Sequence, residues 1–120
     1  MPCLIYILED DSSIVSTLEE VIHQMVGCDV KVFDQGDQLI DAVKKATLAP
    51  CLILLDVMLK VGPNGAQVAR DLHNLETSAR TIPVWFMTAM QKLPDLDHVK
   101  GVLTKPFDVE TVVGIIKRYC

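Results

Sequence analysis

The chain has little of what would tie it to a membrane, to nucleic acid or to an oxidising compartment. No apolar run reaches the ~18 residues of a membrane span. Met1-Pro2-Cys3 passes at once into a short apolar run, without the basic segment that opens a secretory signal. Lys and Arg number 11 against 16 Asp and Glu, a formal net charge of −5. The basic residues do not cluster as phosphate contacts on a nucleic acid require. The four cysteines, Cys3, Cys28, Cys51 and Cys120, show neither a CxxC nor another close metal-ligand spacing. Three of them begin apolar runs, where a free Cys behaves as a small buried hydrophobe. They are read as structural thiols of a reducing compartment, and the expected location is cytoplasmic. Linkers, internal repeats and low-complexity segments are lacking too.

What remains is a single domain, residues 1–120, with half its residues apolar and therefore a real core and no tendency to disorder. Short β-rich apolar runs alternate with amphipathic stretches. Cys3–Leu8, Cys28–Phe33, Cys51–Leu55 and Ile82–Met87 read as strands, with Gly101–Thr104 a shorter fifth. The first, third and fourth are nearly continuous apolar runs, as parallel strands covered on both faces require. Ile14, Leu18, Val21, Ile22 and Met25 form one helical stripe closed by Gly27. Leu39, Ile40 and Val43 form a second, Val68, Leu72 and Leu75 a third, and Val109, Val112, Val113 and Ile116 the last. Met90–Lys100 carries Pro94 and a poor stripe, so only a stunted helix fits there.

Strands alternating with helices imply a parallel sheet with right-handed crossovers, and ligands of such open sheets bind beyond the carboxyl ends of the strands. Those ends carry Glu9, Asp10 and Asp11, then Asp56, then Thr88, then Lys105-Pro106. Crowded carboxylates repel and are driven toward protonation unless a cation compensates. A hard ion such as Mg²⁺, held by one or two carboxylates, backbone oxygen and water, meets that need. With Lys105 as a fixed positive charge and Thr88 as a donor, these are the parts that hold a phosphoryl group on a carboxylate nucleophile, Asp56. Each residue has a plainer reading: Asp11 or Ser12 as a helix cap, Asp56 as a turn residue, Thr88 as a cap, Lys105-Pro106 as a loop. Their placement at successive strand ends favours the joint reading.

On Ile7-Leu8-Glu9-Asp10-Asp11, Leu54-Leu55-Asp56-Val57-Met58-Leu59, Met87-Thr88-Ala89 and Thr104-Lys105-Pro106-Phe107, the chain resembles the receiver domains of two-component response regulators over essentially its whole length. The resemblance implies an α/β, flavodoxin-like, doubly wound five-stranded parallel sheet of order 2-1-3-4-5. It implies a phosphorylation-dependent signalling switch, not a metabolic enzyme, with Asp56 accepting the phosphoryl group from a histidine kinase or phosphotransfer protein. Mg²⁺ would be held by Asp10, Asp56 and the carbonyl oxygen of Met58, with Glu9 acting mostly through water. Thr88 would be the switch hydroxyl and Lys105 the cation that pairs with the phosphoryl group. In that family the peptide corresponding to Lys105–Pro106 is often cis, a form that X-Pro bonds alone adopt cheaply.

Three departures bear on output rather than on phosphorylation. Val102 stands where the family usually has the aromatic residue of its switch. The loop from Asp56 to Gly65 is about one residue longer than the common pattern, with Lys60 where Pro is frequent and a Gly62-Pro63-Asn64-Gly65 turn. The stretch between Thr88 and Lys105 is short by roughly one helical turn of ~3.6 residues, so the fourth helix is expected to be reduced. A phosphohydrolase with an aspartyl nucleophile would want a second acid two residues on, where this chain has Met58. A degenerate, docking-only receiver is disfavoured by the intact set of site residues. A flavin-binding flavodoxin would need a phosphate-cradling loop after the first strand, and none is seen. Output partner, oligomeric state and cognate kinase are not encoded in any motif.

Overall fold

Why the chemistry gathers at one rim follows from the order of the strands. The computed structural model describes residues 3–60, 62, 64–75, 81–89 and 98–120. Along the chain run β1 (Leu4–Leu8), α1 (Ser12–Met25), β2 (Asp29–Phe33), α2 (Gly36–Lys45), β3 (Leu52–Asp56), α3 (Gly65–His73), β4 (Val84–Thr88), β5 (Val99–Thr104) and α4 (Val109–Tyr119). The strands form one sheet in the order β2-β1-β3-β4-β5, every neighbouring pair parallel. The chain steps from β1 outward to β2 and then back across to β3. The carboxyl ends of β1 and β3 therefore flank the point where the winding reverses, the crevice such sheets use for ligands.

Alternation along the strands divides the core between two faces. Tyr6, Leu8, Ile53, Leu55 and Phe86 meet Leu39 and Val43 of α2 and Val68 and Leu72 of α3. On the other face Ile5, Ile7, Leu52, Leu54 and Met87 meet Leu18 and Ile22 of α1 and Val112 and Ile116 of α4. All five side chains of β3 are buried, as are all five of β4. Burying one such aliphatic side chain contributes on the order of 1.5–3 kcal/mol, so these central runs fix both the sheet and its register. Three helix starts, those of α1, α3 and α4, are set by side chains: Asp11 accepts from the Ser13 and Ile14 amides, Asn64 from Gln67 and Asp108 from Thr111.

Three expectations need correction. The fifth strand begins at Val99, not Gly101, because an edge strand with alternating burial needs no continuous apolar run. Ile82 and Pro83 precede β4 rather than belonging to it; Pro83 has no amide to give a ladder. Leu75 lies beyond α3, which ends at His73 with Asn74 as its cap, although Leu75 still packs on the core. The stunted helix expected within Met90–Lys100 falls largely on residues 90–97, outside the described residues.

The cysteines depart further. Cys28 is a buried free thiol as expected. Cys3, Cys51 and Cys120 are not separate hydrophobes: their sulfurs gather at one point, with Cys3 within disulfide reach of either of the others. Parallel pairing starts β1 and β3 side by side, the Cys51 amide donating to the Leu4 carbonyl at 2.9 Å, and α4 ends against them. Residues 48 and 69 positions apart meet through topology, which spacing along the chain cannot express.

Candidate functional site

Registry delivers the site residues to one level. Leu8 pairs with Leu55, Asp56 with Met87 and Thr88 with Thr104, so each strand expires beside its neighbour's end. Glu9 and Asp10 follow β1, Asp56 ends β3, Thr88 ends β4, and Lys105 follows β5. Glu9, Asp56 and Thr88 are buried, at 1%, 4% and 1% exposure, which water alone would not compensate. One oxygen from each of Glu9, Asp10 and Asp56 lies within 4.8 Å of the others. Sequence reasoning brought these residues to one place, and the structure puts them there.

Lys105 ties the cluster together. Its ammonium donates to Glu9 Oε1 at 2.6 Å and to Asp56 Oδ2 at 3.3 Å. Its backbone amide donates to the Thr88 carbonyl at 2.9 Å, fastening the end of β5 to that of β4, and the peptide to Pro106 is cis. Asp56 Oδ1 accepts the Met58 amide at 2.9 Å, while the Met58 side chain is 63% exposed. Asp10 Oδ2 accepts the Lys60 amide at 2.9 Å. That last contact was not foreseen, since a main-chain donor leaves no mark in side-chain identity. Asp11 turns away to cap α1.

The electrostatics carry an unmet demand. Burial pushes the Glu9 carboxyl up to about 8; the Asp56 carboxylate adds to this and Lys105 only partly offsets it. For Lys105, burial works against its charge, but Glu9 and Asp56 outweigh it and its pKa is raised. Glu9 Oε2 is buried without a hydrogen-bond partner among the described residues. Three carboxylates against one ammonium, with a buried acceptor left over, form an all-oxygen donor set suited to a hard divalent cation. Gly65 closes the back of the site: a Cβ there would stand 2.5 Å from the Asp56 carbonyl oxygen, so α3 approaches β3 only because that position has no side chain.

A family model described as the response regulator receiver domain matches residues 5–117. Solved structures agree at the level of fold. A two-component response regulator from Legionella pneumophila superposes with a TM-score of 0.83 at 23% identity, covering 99% of this chain and 98% of that one. The receiver domain of a sensor histidine kinase from Pseudomonas aeruginosa, with a magnesium ion coordinated in its active-site cleft, gives 0.84 at 22% identity over 99% and 98%. A chemotaxis response regulator of Vibrio cholerae gives 0.82 at 19% identity over the whole of both chains. No curated protein sequence matches the chain significantly. Among the described residues, no helix is long and apolar enough to cross a membrane.

Proposed function

This chain belongs to the response regulator receiver domains, the phosphorylation-dependent signalling modules of two-component systems, and from that premise we propose that Asp56 is its phosphoacceptor. The observation that carries the reading is the setting of that carboxylate. Asp56 closes the central strand with one oxygen held by the Met58 amide at 2.9 Å and the other facing the Lys105 ammonium at 3.3 Å. An Asp56 oxygen attacks phosphorus, the bond from phosphorus to the donor's imidazole nitrogen breaks, and the leaving nitrogen takes up a proton. The donor would be a histidine kinase or a histidine phosphotransfer protein. Lys105 neutralises charge on the phosphoryl oxygens, and Thr88, one strand away, supplies a hydroxyl to the new dianion.

The carboxylates of Glu9, Asp10 and Asp56 fit Mg²⁺, with the Met58 carbonyl as a further oxygen, and the magnesium-bound Pseudomonas receiver supports the choice of ion. Such an ion offsets the repulsion between an anionic nucleophile and an anionic donor. The domain is read as a stoichiometric switch and not a turnover enzyme, because Met58 supplies no second acid or base beside the acceptor. A cytoplasmic setting goes with that role.

The test is labelling with acetyl phosphate and Mg²⁺, read by intact mass. One phosphoryl group per chain is expected, lost in Asp56→Asn and lost on chelation of the metal. Equal labelling of the Asn variant would overturn the assignment.

A further inference from the structure

The rim opposite the acidic site holds a second group of reactive side chains. Cys3 precedes β1, Cys51 precedes β3 and Cys120 follows α4. Their sulfurs lie within 4.8 Å of one another, and Cys51 and Cys120 Sγ are 2.7 Å apart. The Cα of Cys3 is 6.3 Å from that of Cys51 and 6.0 Å from that of Cys120, both inside the ~4.4–6.8 Å range a disulfide spans. A sulfur in a disulfide has one sulfur partner at a time, so the two bridges to Cys3 exclude each other. Whichever forms leaves the third thiol beside it, where an attacking sulfur belongs.

We propose that Cys3, Cys51 and Cys120 form a thiol–disulfide exchange site in which Cys3 passes between two partners. Cys120 is exposed and the other two are half-buried, so a small disulfide in solution reaches the cluster through Cys120. The Cys120 thiolate attacks one sulfur of a low-molecular-weight disulfide RSSR, giving a mixed disulfide and RS⁻. The Cys3 thiolate then displaces the second RS⁻ and closes the Cys3–Cys120 bridge. Two protein thiols are oxidised, RSSR is reduced to two RSH, and the two thiol protons end on the released thiolates. Attack by Cys51 on the Cys3 sulfur expels Cys120 as thiolate and moves the bridge with no net redox change. Cys28 takes no part: it is buried, and burial raises its pKa.

A metal centre is the competing use of three thiols. Among the described residues the group offers three ligands, one short of the four that close a structural zinc site, which favours sulfur–sulfur chemistry.

The experiment equilibrates the full reduced chain in glutathione buffers of increasing oxidised fraction, traps thiols by alkylation and maps the peptides by mass. One intramolecular bridge per chain is expected, always containing Cys3 and divided between Cys51 and Cys120. Cys51→Ser should give the Cys3–Cys120 bridge alone, Cys120→Ser the Cys3–Cys51 bridge alone, and Cys28→Ser the wild-type mixture. Persistence of all four thiols, a glutathione adduct confined to Cys120, a predominant Cys51–Cys120 bridge or disulfide-linked dimers would each overturn the proposal. So would one Zn²⁺ retained per reduced chain with the three thiols protected from oxidation, an outcome that would assign the cluster to metal instead.

Discussion

Lys105 Nζ lies 2.6 Å from Glu9 Oε1, a shorter contact than the 3.3 Å it makes to Asp56 Oδ2. The cation rests mainly on a carboxylate that is not the proposed acceptor. Asp56 Oδ2 is thus only loosely engaged, and an ammonium shared in this way can shift toward a new dianion on Asp56 without leaving the site. Deleting the cation removes an influence that holds the Glu9 pKa down. In Lys105→Ala, without divalent metal, the Glu9 carboxyl should therefore titrate above about 8, followed by carbon NMR. A fall toward the ordinary carboxylate range would show that the ammonium does not govern Glu9.

Stability should depend on pH through Glu9. Its carboxyl is raised from 4.5 to about 8 in the fold, so the folded chain keeps a proton that the unfolded chain releases near 4.5. The stabilisation is full below about pH 4.5, declines as pH rises, and is gone above about 8. In EDTA, the wild-type Tm should fall relative to that of Glu9→Gln between about pH 5 and 8.5. Parallel curves for the two proteins would contradict the shift.

Two glycine-to-alanine changes should act in opposite directions. At Gly65 the added Cβ meets main chain, the Asp56 carbonyl oxygen at 2.5 Å, which cannot rotate away. Gly65→Ala should cost about 1–3 kcal/mol and slow phosphorylation by displacing Asp56. At Gly114, inside α4, nothing lies within 4 Å, and Gly114→Ala should stabilise by up to ~1 kcal/mol. Urea unfolding of both variants decides it; equal effects of one sign would mean the contact at Gly65 is not what matters.

The indole of Trp85 donates to the Tyr119 hydroxyl at 2.9 Å, joining β4 to the last turn of α4. Tyr119→Phe should cost about 1 kcal/mol, since it strands a nearly buried donor. Trp85 emission should shift in the folded state. Unaltered emission and stability would show that solvent already satisfies the indole.

The aspartyl phosphate should be long-lived. Met58 and Met90 stand two residues past the acceptor and two past Thr88, where polar side chains could orient a hydrolytic water, and neither thioether is a useful base. Met90 lies outside the described residues, whereas Met58 is largely exposed beside the site. Met58→Asn should accelerate decay by less than the ~10²-fold of a true general base. Decay measured after removal of the phosphoryl donor tests this, and an unchanged rate would show that the side chain at position 58 does not govern the hydrolytic water.

The sheet and the acidic rim were legible because central parallel strands write themselves as unbroken apolar runs. Cys51–Leu55 and Ile82–Met87 read as buried strands because they are short and bounded by turn residues, and a polar residue that follows such a run sits at the rim. Asp11 was likewise legible as a helix cap, whereas the caps at Asn64 and Asp108 emerged only with the structure. Contacts set by main chain or by topology left no comparable mark. The Lys60 amide on Asp10, the start of β5 at Val99 and the meeting of Cys3 with Cys51 and Cys120 all depend on which strand lies beside which. Gly65 is intermediate: its turn was visible, but its closeness to the Asp56 carbonyl was not.

The 6.0 Å between the Cα atoms of Cys3 and Cys120 also sets how the domain bears load. Tension applied at these two residues enters and leaves at nearly one point, so it loads the start of β1 and the end of α4 first. With the two sulfurs joined, the same tension would run through a single covalent link and leave the folded body slack. Force spectroscopy with handles attached at residues 3 and 120 through backbone or side chains other than these thiols would then record an extensible domain when reduced and an inextensible one when bridged.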